Sequence, residues 1–315
     1  MSNQYDSDLS NSADCQKYVD EKLHSLTVRS AEIGQGTLIK RALPSREKRM
    51  IGAWCFLDHA GPASFEQGDG LDVGPHPHIG LQTFTWMIEG TVMHTDSIGS
   101  KQLIRPNQVN LMTAGYGISH TEVAPDTETK MHAAQLWIAL PDEKLNMPPQ
   151  FDHYPELPVI SEHNVKFTVL VGEFLEKLSP VKVHTPLVGV DMFAEEETQI
   201  TLTLDPKFEY GFLALEDGAE IAGHQLTSEN MLILEPGLTH IEMSLPQGAR
   251  VLMIGGEPFN QPVLLWWNLV GRTTEALREA KEQWENHDPR FGEIEDYDGP
   301  RLKAPTFPDR MKASN

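Results

Sequence analysis

A chain of 315 residues exceeds the size at which one hydrophobic core usually keeps growing, and it divides most naturally into two domains of about 150 residues each. Its 46 Asp and Glu outweigh 25 Lys and Arg to give a formal net charge of -21 at pH 7, a field that repels nucleic-acid phosphates and argues against direct nucleic-acid binding. No apolar run approaches about 18 residues, so no membrane-spanning helix is expected, while 24 Gly and 22 Pro beside 39% hydrophobic residues suit many short strands and an all-β fold.

In chain order, residues 1–24 are polar and without periodicity, and are expected to form a flexible tail with a short helix around Gln16 to Leu23. The opening MSNQYDSDLSNSADC lacks the basic and apolar stretches of a secretory signal. Cys15 and Cys55 are the only cysteines, so no disulfide framework is expected and a reducing cytoplasm is the expected compartment.

Residues 25–145 read as a first β module. GTLIKRALPSREKRMIGAWCFLDHAGPASF breaks at Pro44 and Gly61-Pro62, and the following stretch breaks at Glu89-Gly90, Ile98-Gly99-Ser100 and Pro106-Asn107, as consecutive antiparallel strands do. The Pro-rich segment 146–164 is read as a linker. Residues 165–262 repeat the earlier order of features: FEYGFLALEDG echoes TFTWMIEG, and NMLILEPGLTHIE echoes NLMTAGYGISHTE, so a duplicated module is expected. Residues 263–315 contain an amphipathic helix with Ala276, Ala280 and Trp284 at four-residue steps, followed by an extended tail.

The chemistry concentrates in two pairs. His76 and His78 flank Pro77 in GPHPHIG, and His120 and Glu122 repeat the two-residue step in GISHTE. Residues two apart on a strand share a face, so each pair can enter one cavity. A lone His-x-His is commonly a surface accident, whereas two such pairs in one module make a metal site as good a reading as chance. Nitrogen and carboxylate ligands suit divalent iron, nickel, copper, manganese or zinc, and four of them leave one or two coordination positions open.

The blocks GPHPHIGLQTFTWMIEG, MHTDSIGS, NLMTAGYGISHTE and AAQLWIALP, in that order, resemble the signature blocks of the pirin family, a branch of the bicupins, and WCFLDHAGPASF resembles its opening block. The resemblance is close over Leu38 to Pro149 and extends in general order beyond. It implies an all-β fold of two tandem cupin (jelly-roll β-barrel) modules with a C-terminal helix. It also implies one divalent metal on His76, His78, His120 and Glu122, with iron the first expectation and nickel, copper, manganese or zinc the alternatives. The activity implied is that of a quercetin 2,3-dioxygenase, which opens the central ring of a flavonol or related phenol with O2 and releases carbon monoxide. Glu122 would then also serve as the base that removes a phenolic proton. The alternative implied is a metal- or redox-dependent regulatory protein that binds a transcription factor or a metabolic enzyme, for which the negative charge favours a basic protein partner. Ile79 and Gln82 stand where many members carry Arg and Glu.

Strand alternation from His78 directs Gly80, Gln82, Phe84 and Trp86 towards the cavity if no bulge intervenes, and Trp137 lies on another apolar strand; these are the candidate substrate-pocket residues, with core filling their simpler role. Asp58-His59, His94 and Asp96-Ser97 read as groups that fix loops. The second module offers His240 and Glu242 but no His-x-His, so no metal is expected there. A monomer is expected.

Overall fold

The protein is described from a computed structural model covering residues 10–11, 22–34 and 36–308. The expected N-terminal tail therefore lies mostly outside the described residues, as do Cys15 and the helix expected around Gln16, although Ser10–Asn11 pair with Leu264–Leu265 and Leu23 opens a strand.

Each module is a pair of facing sheets, one of seven strands and one of four. In the first, the seven-stranded sheet runs Gln150–Tyr154, Gln108–Thr113, Leu81–Glu89, Lys130–Ala139, Trp54–Ser64, Thr37–Leu43, Arg29–Ile33. The four-stranded sheet runs Asp72–His78, Ile118–Val123, Val92–Asp96, Lys101–Ile104. The second module repeats this plan, with Glu209–Glu216 and Asn230–Leu234 standing where Leu81–Glu89 and Gln108–Thr113 stand in the first.

The two seven-stranded sheets pack on each other, so their central strands are covered on both faces and read as nearly continuous apolar runs. Phe84, Trp86, Leu136 and Ile138 meet Leu213, Leu215, Leu252 and Ile254 in one core between the modules. Trp54 meets Phe84 edge-on at 5.6 Å, and removing such a ring costs about 3–5 kcal/mol. The opposite faces line the module interiors, where Leu81 and Met87 sit in the first and Phe167, Phe212 and Ile241 in the second.

Two segments depart from the expected division. The linker carries Gln150–Tyr154, which pairs with Gln108–Thr113 of the first module, and Val159–Glu162, which pairs with Val165–Val171 of the second. Leu23–Thr27 does not belong to the first module: it pairs with Asn230–Leu234 at the edge of the second module's sheet. An exposed edge is covered by whichever segment reaches it, and here the chain preceding the first module caps the second.

The C-terminal helix spans Thr274–Glu285, with the Thr273 hydroxyl accepting from the Ala276 amide as its N-cap. Its buried stripe is Leu277, Ala280 and Trp284 rather than Ala276, Ala280 and Trp284. This stripe packs on Ile79, Trp266, Phe291 and Phe307, so the contact lies within the chain and beside the strand that ends in His78.

Candidate metal centre

Asp72–His78 and Ile118–Val123 are antiparallel neighbours whose register sets His120 opposite His76 and Ile118 opposite His78. Four side chains two residues apart on these strands therefore leave the sheet on its inner face. One nitrogen from each of His76, His78 and His120 falls within a group less than 4.8 Å across, and all three rings are fully buried. Glu122 is buried two residues beyond His120 but outside that group. The two residues from His120 to Glu122 are matched by three from His76 to Val73, so a bulge on the Asp72–His78 strand lies opposite this pair, while the pairing of His120 and Glu122 with Asp96 and His94 on the other side stays regular.

The outer nitrogens of the three rings are committed. His76 Nδ1 lies 2.9 Å from the Gly74 carbonyl and His78 Nδ1 2.9 Å from the Asn268 carbonyl. A carbonyl only accepts, so both Nδ1 atoms carry the proton and both Nε2 lone pairs face inward. His120 Nδ1 lies 3.2 Å from His94 Nδ1, and His94 Nε2 lies 3.0 Å from Asp96 Oδ2. The carboxylate only accepts and so fixes a proton of His94 on Nε2, and with His94 Nδ1 accepting from His120 the third Nε2 lone pair is also left inward.

Lone pairs so arranged need a cation. His78 Nε2 and His120 Nε2 stand 3.1 Å apart, and His76 Nε2 is buried with no hydrogen-bond partner among the described residues. Burial pushes all three imidazoles well below the usual histidine pKa, which keeps them neutral. The donor set fits a divalent first-row metal, and the outer hydrogen bonds are of the kind that orient metal-binding imidazoles.

Trp137 meets His78 edge-on at 5.2 Å and stacks on Phe56 at 4.0 Å. Gln82, Phe84 and Trp86, by contrast, do not face the histidines. Phe84 and Trp86 lie in the core between the modules, Trp86 Nε1 donates to Asp191 of the second module, and Gln82 Nε2 donates to Thr113 and to the Lys182 carbonyl. The reason is Gly80, whose φ of +68° turns the chain between the two strands and breaks the alternation carried over from His78.

Sequence reasoning gave His94 and Asp96 only the loop role. Asp96 Oδ1 does accept from the Ile98 and Ser100 amides, yet its second oxygen orients His94 and through it His120. Asp58 and His59 lie in the strand Trp54–Ser64, not in a turn; Asp58 pairs with Arg41 inside the module and His59 with His132. The Asn268 carbonyl had no signal in the sequence, because it reaches His78 from 190 residues away. The same C-terminal region ties down both ligand strands: the Leu302 amide donates to the Pro75 carbonyl and the Ser119 hydroxyl to the Phe291 carbonyl.

In the second module His240 and Glu242 are exposed, while Ile241 and Met243 point inward, and His240 stands opposite Thr203 where His120 stands opposite His76. A one-residue change of parity turns that pair to the outside. Among the described residues, His76, His78 and His120 form the metal-compatible cluster. No helix among them is long and apolar enough to cross a membrane.

Comparison with known proteins gives matches over nearly the whole chain. Residues 36–138 match the family model described as Pirin, and residues 189–292 the one described as the Pirin C-terminal cupin domain. A Pseudomonas aeruginosa protein, named as a candidate quercetin 2,3-dioxygenase, is 50% identical over 306 residues, covering 97% of each chain. A pirin-like protein of Caulobacter vibrioides is 36% identical over 255 residues, covering 78% of this chain and 87% of the relative. A crystal structure of quercetin 2,3-dioxygenase from Acinetobacter baumannii is 68% identical, covers 95% of this chain and 100% of that one, and superposes with a TM-score of 0.92.

Proposed function

The chain belongs to the pirin family, and from that premise we propose that it is a metal-dependent oxidoreductase of the quercetin 2,3-dioxygenase type. Its reaction joins one O2 to a flavonol or related phenol, opens the central ring and releases carbon monoxide. The observation that carries this reading is the convergence of three fully buried imidazoles, each with its outer nitrogen already committed. The names borne by its 50% and 68% identical relatives support it.

His76, His78 and His120 would hold one divalent transition metal, with iron the first candidate and nickel, copper, manganese and zinc behind it, and Glu122 as fourth ligand. When bound, such an ion would supply Lewis acidity and, for every candidate except zinc, access to the redox chemistry of O2. The protein's own groups do the rest. Burial excludes water from the three rings, so charge developed there is weakly screened. The Glu122 carboxylate takes the phenolic proton, and Trp137 with Phe56 presents a flat aromatic wall beside His78. The reading is of a monomer acting in a reducing cytoplasm, which suits the free, buried Cys55.

The test is elemental analysis of wild type and of the His76→Ala/His120→Ala protein, with oxygen uptake on quercetin recorded on the same samples after metal loading. Stoichiometric metal and uptake, both lost in the variant, are expected. Metal without uptake would favour the regulatory role instead, and no metal under any loading would end both readings. Glu122→Gln should keep its fold and lose turnover; full turnover with metal retained would remove the base role.

A further inference from the structure

On the inner face of the first module's seven-stranded sheet, side chains form rows across the strands. The row nearest the histidines is largely apolar and includes Phe151, Met112, Trp137 and Phe56, in register through Thr83. Trp137 from this row reaches His78, and Phe151 stacks on His94 at 4.4 Å. Two residues along each strand the character changes. His153, Asn110, Thr85, Gln135, Asp58 and Arg41 stand in register across six strands, and all are polar. The next row, with Met87, Ala133, Ala60 and Ile39, is apolar again.

A polar row inside a β module is unfavourable unless its groups are paired. Most of them are. His153 Nδ1 lies 2.7 Å from Asn110 Oδ1, Thr85 Oγ1 donates to Gln135 Oε1 at 2.8 Å, and Arg41 grips Asp58 with two bonds of 2.7 and 2.8 Å. Two groups stand out. Gln135 spends its carbonyl oxygen on Thr85, and its Nε2 is buried with no hydrogen-bond partner among the described residues. Trp137 Nε1, one step nearer the histidines on the same strand face, is in the same condition. Gln135 is 0% and Trp137 1% exposed.

Both atoms are donors only, so the group that completes them is an acceptor. Their residues lie about 7 Å apart along the strand, the scale of one fused aromatic ring system. We infer that Gln135 and Trp137 are the specificity-determining donors of this site, each receiving an acceptor oxygen of a planar, oxygen-rich aromatic substrate that meets the edge of the Trp137 indole. The oxygen at Trp137 lies beside the histidines, and the one at Gln135 lies further in. A carbonyl or phenolate oxygen meets this requirement, and an apolar arene leaves both donors unpaired. The inference rests on the dioxygenase reading and narrows its substrate class. It also accounts for a Gln within an otherwise self-paired polar row.

The test is calorimetric titration of metal-loaded wild type, Gln135→Met and Trp137→Phe with quercetin, alongside their melting temperatures and metal contents. Gln135→Met removes the donor together with the oxygen that accepts from Thr85, and Trp137→Phe removes the pyrrole ring together with its N–H, so the melting temperatures report what each change costs the fold. Each is expected to weaken binding about tenfold and to raise KM more than it lowers kcat, with metal content unchanged. Variants that melt lower yet bind quercetin as tightly as wild type would assign the two groups a purely structural role and overturn the inference. Wild type that binds quercetin in neither its loaded nor its metal-free form would overturn the dioxygenase reading itself, and the two failures are thereby distinguished.

Discussion

Replacing Asp96 with Asn exchanges one carboxylate oxygen for an NH2 group, and the surroundings make either placement of that group costly. Asp96 is buried, with Oδ2 3.0 Å from His94 Nε2 and Oδ1 accepting from the Ile98 and Ser100 amides at 3.1 and 2.9 Å. If NH2 faces His94, two donors meet, and His94 must carry its proton on Nδ1. That proton then points at His120 Nδ1, 3.2 Å away, and drives the His120 proton onto Nε2, the atom needed for a metal. If NH2 faces the turn instead, the two amides lose their acceptor at about 1–3 kcal/mol each. The expected result is a 10- to 100-fold loss of metal affinity, about 1.4–2.8 kcal/mol, from a residue that does not touch the ion. Competition with a chelating dye for nickel(II), paired with melting curves, reads it. An Asp96→Asn protein that binds the metal within twofold of wild type would refute the reasoning that His94 sets the His120 tautomer.

Three other predictions follow from packing and charge. The His59 and His132 rings touch through Nε2 atoms 2.8 Å apart, and burial drives their pKa values down to about 3 and about 4. The unfolded chain takes up these protons near pH 6.5 and the native state does not, so stability is full above about pH 6.5 and falls as pH drops towards about 4. The buried histidines of the metal centre share that direction, so the check is urea unfolding between pH 7 and 4.5 of wild type against His59→Asn/His132→Asn, which should show the shallower decline. Gly80→Ala would set a Cβ 2.2 Å from the Val270 carbonyl at a φ of +68°, and is expected to cost about 2 kcal/mol or more in urea unfolding and to reduce metal content by displacing His78. Trp284 packs edge-on against Phe291 and donates to the Leu302 carbonyl, so Trp284→Ala should cost about 3–5 kcal/mol and expose the segment beyond residue 289 to limited proteolysis.

What the sequence determined by itself was local and periodic. Turn residues at regular intervals announced short strands, the echo of TFTWMIEG in FEYGFLALEDG announced duplication, and the two-residue steps of His76–His78 and His120–Glu122 put each pair on one strand face, since side chains alternate at every residue. Tertiary structure decided whatever depends on where one strand stops obeying the next. Gly80 reverses the side on which Phe84 and Trp86 emerge, and those rings bind the two modules together instead of lining the site. A change of parity turns His240 and Glu242 outward although LTHIE copies SHTE. The groups that orient the imbricated histidines, Asn268 for His78 and the Asp96–His94 pair for His120, come from a C-terminal turn and from a neighbouring strand. Alternation is a property of consecutive residues and is legible in one dimension; the orientation of a ligand by a carbonyl 190 residues away is a property of packing, and only the folded chain contains it.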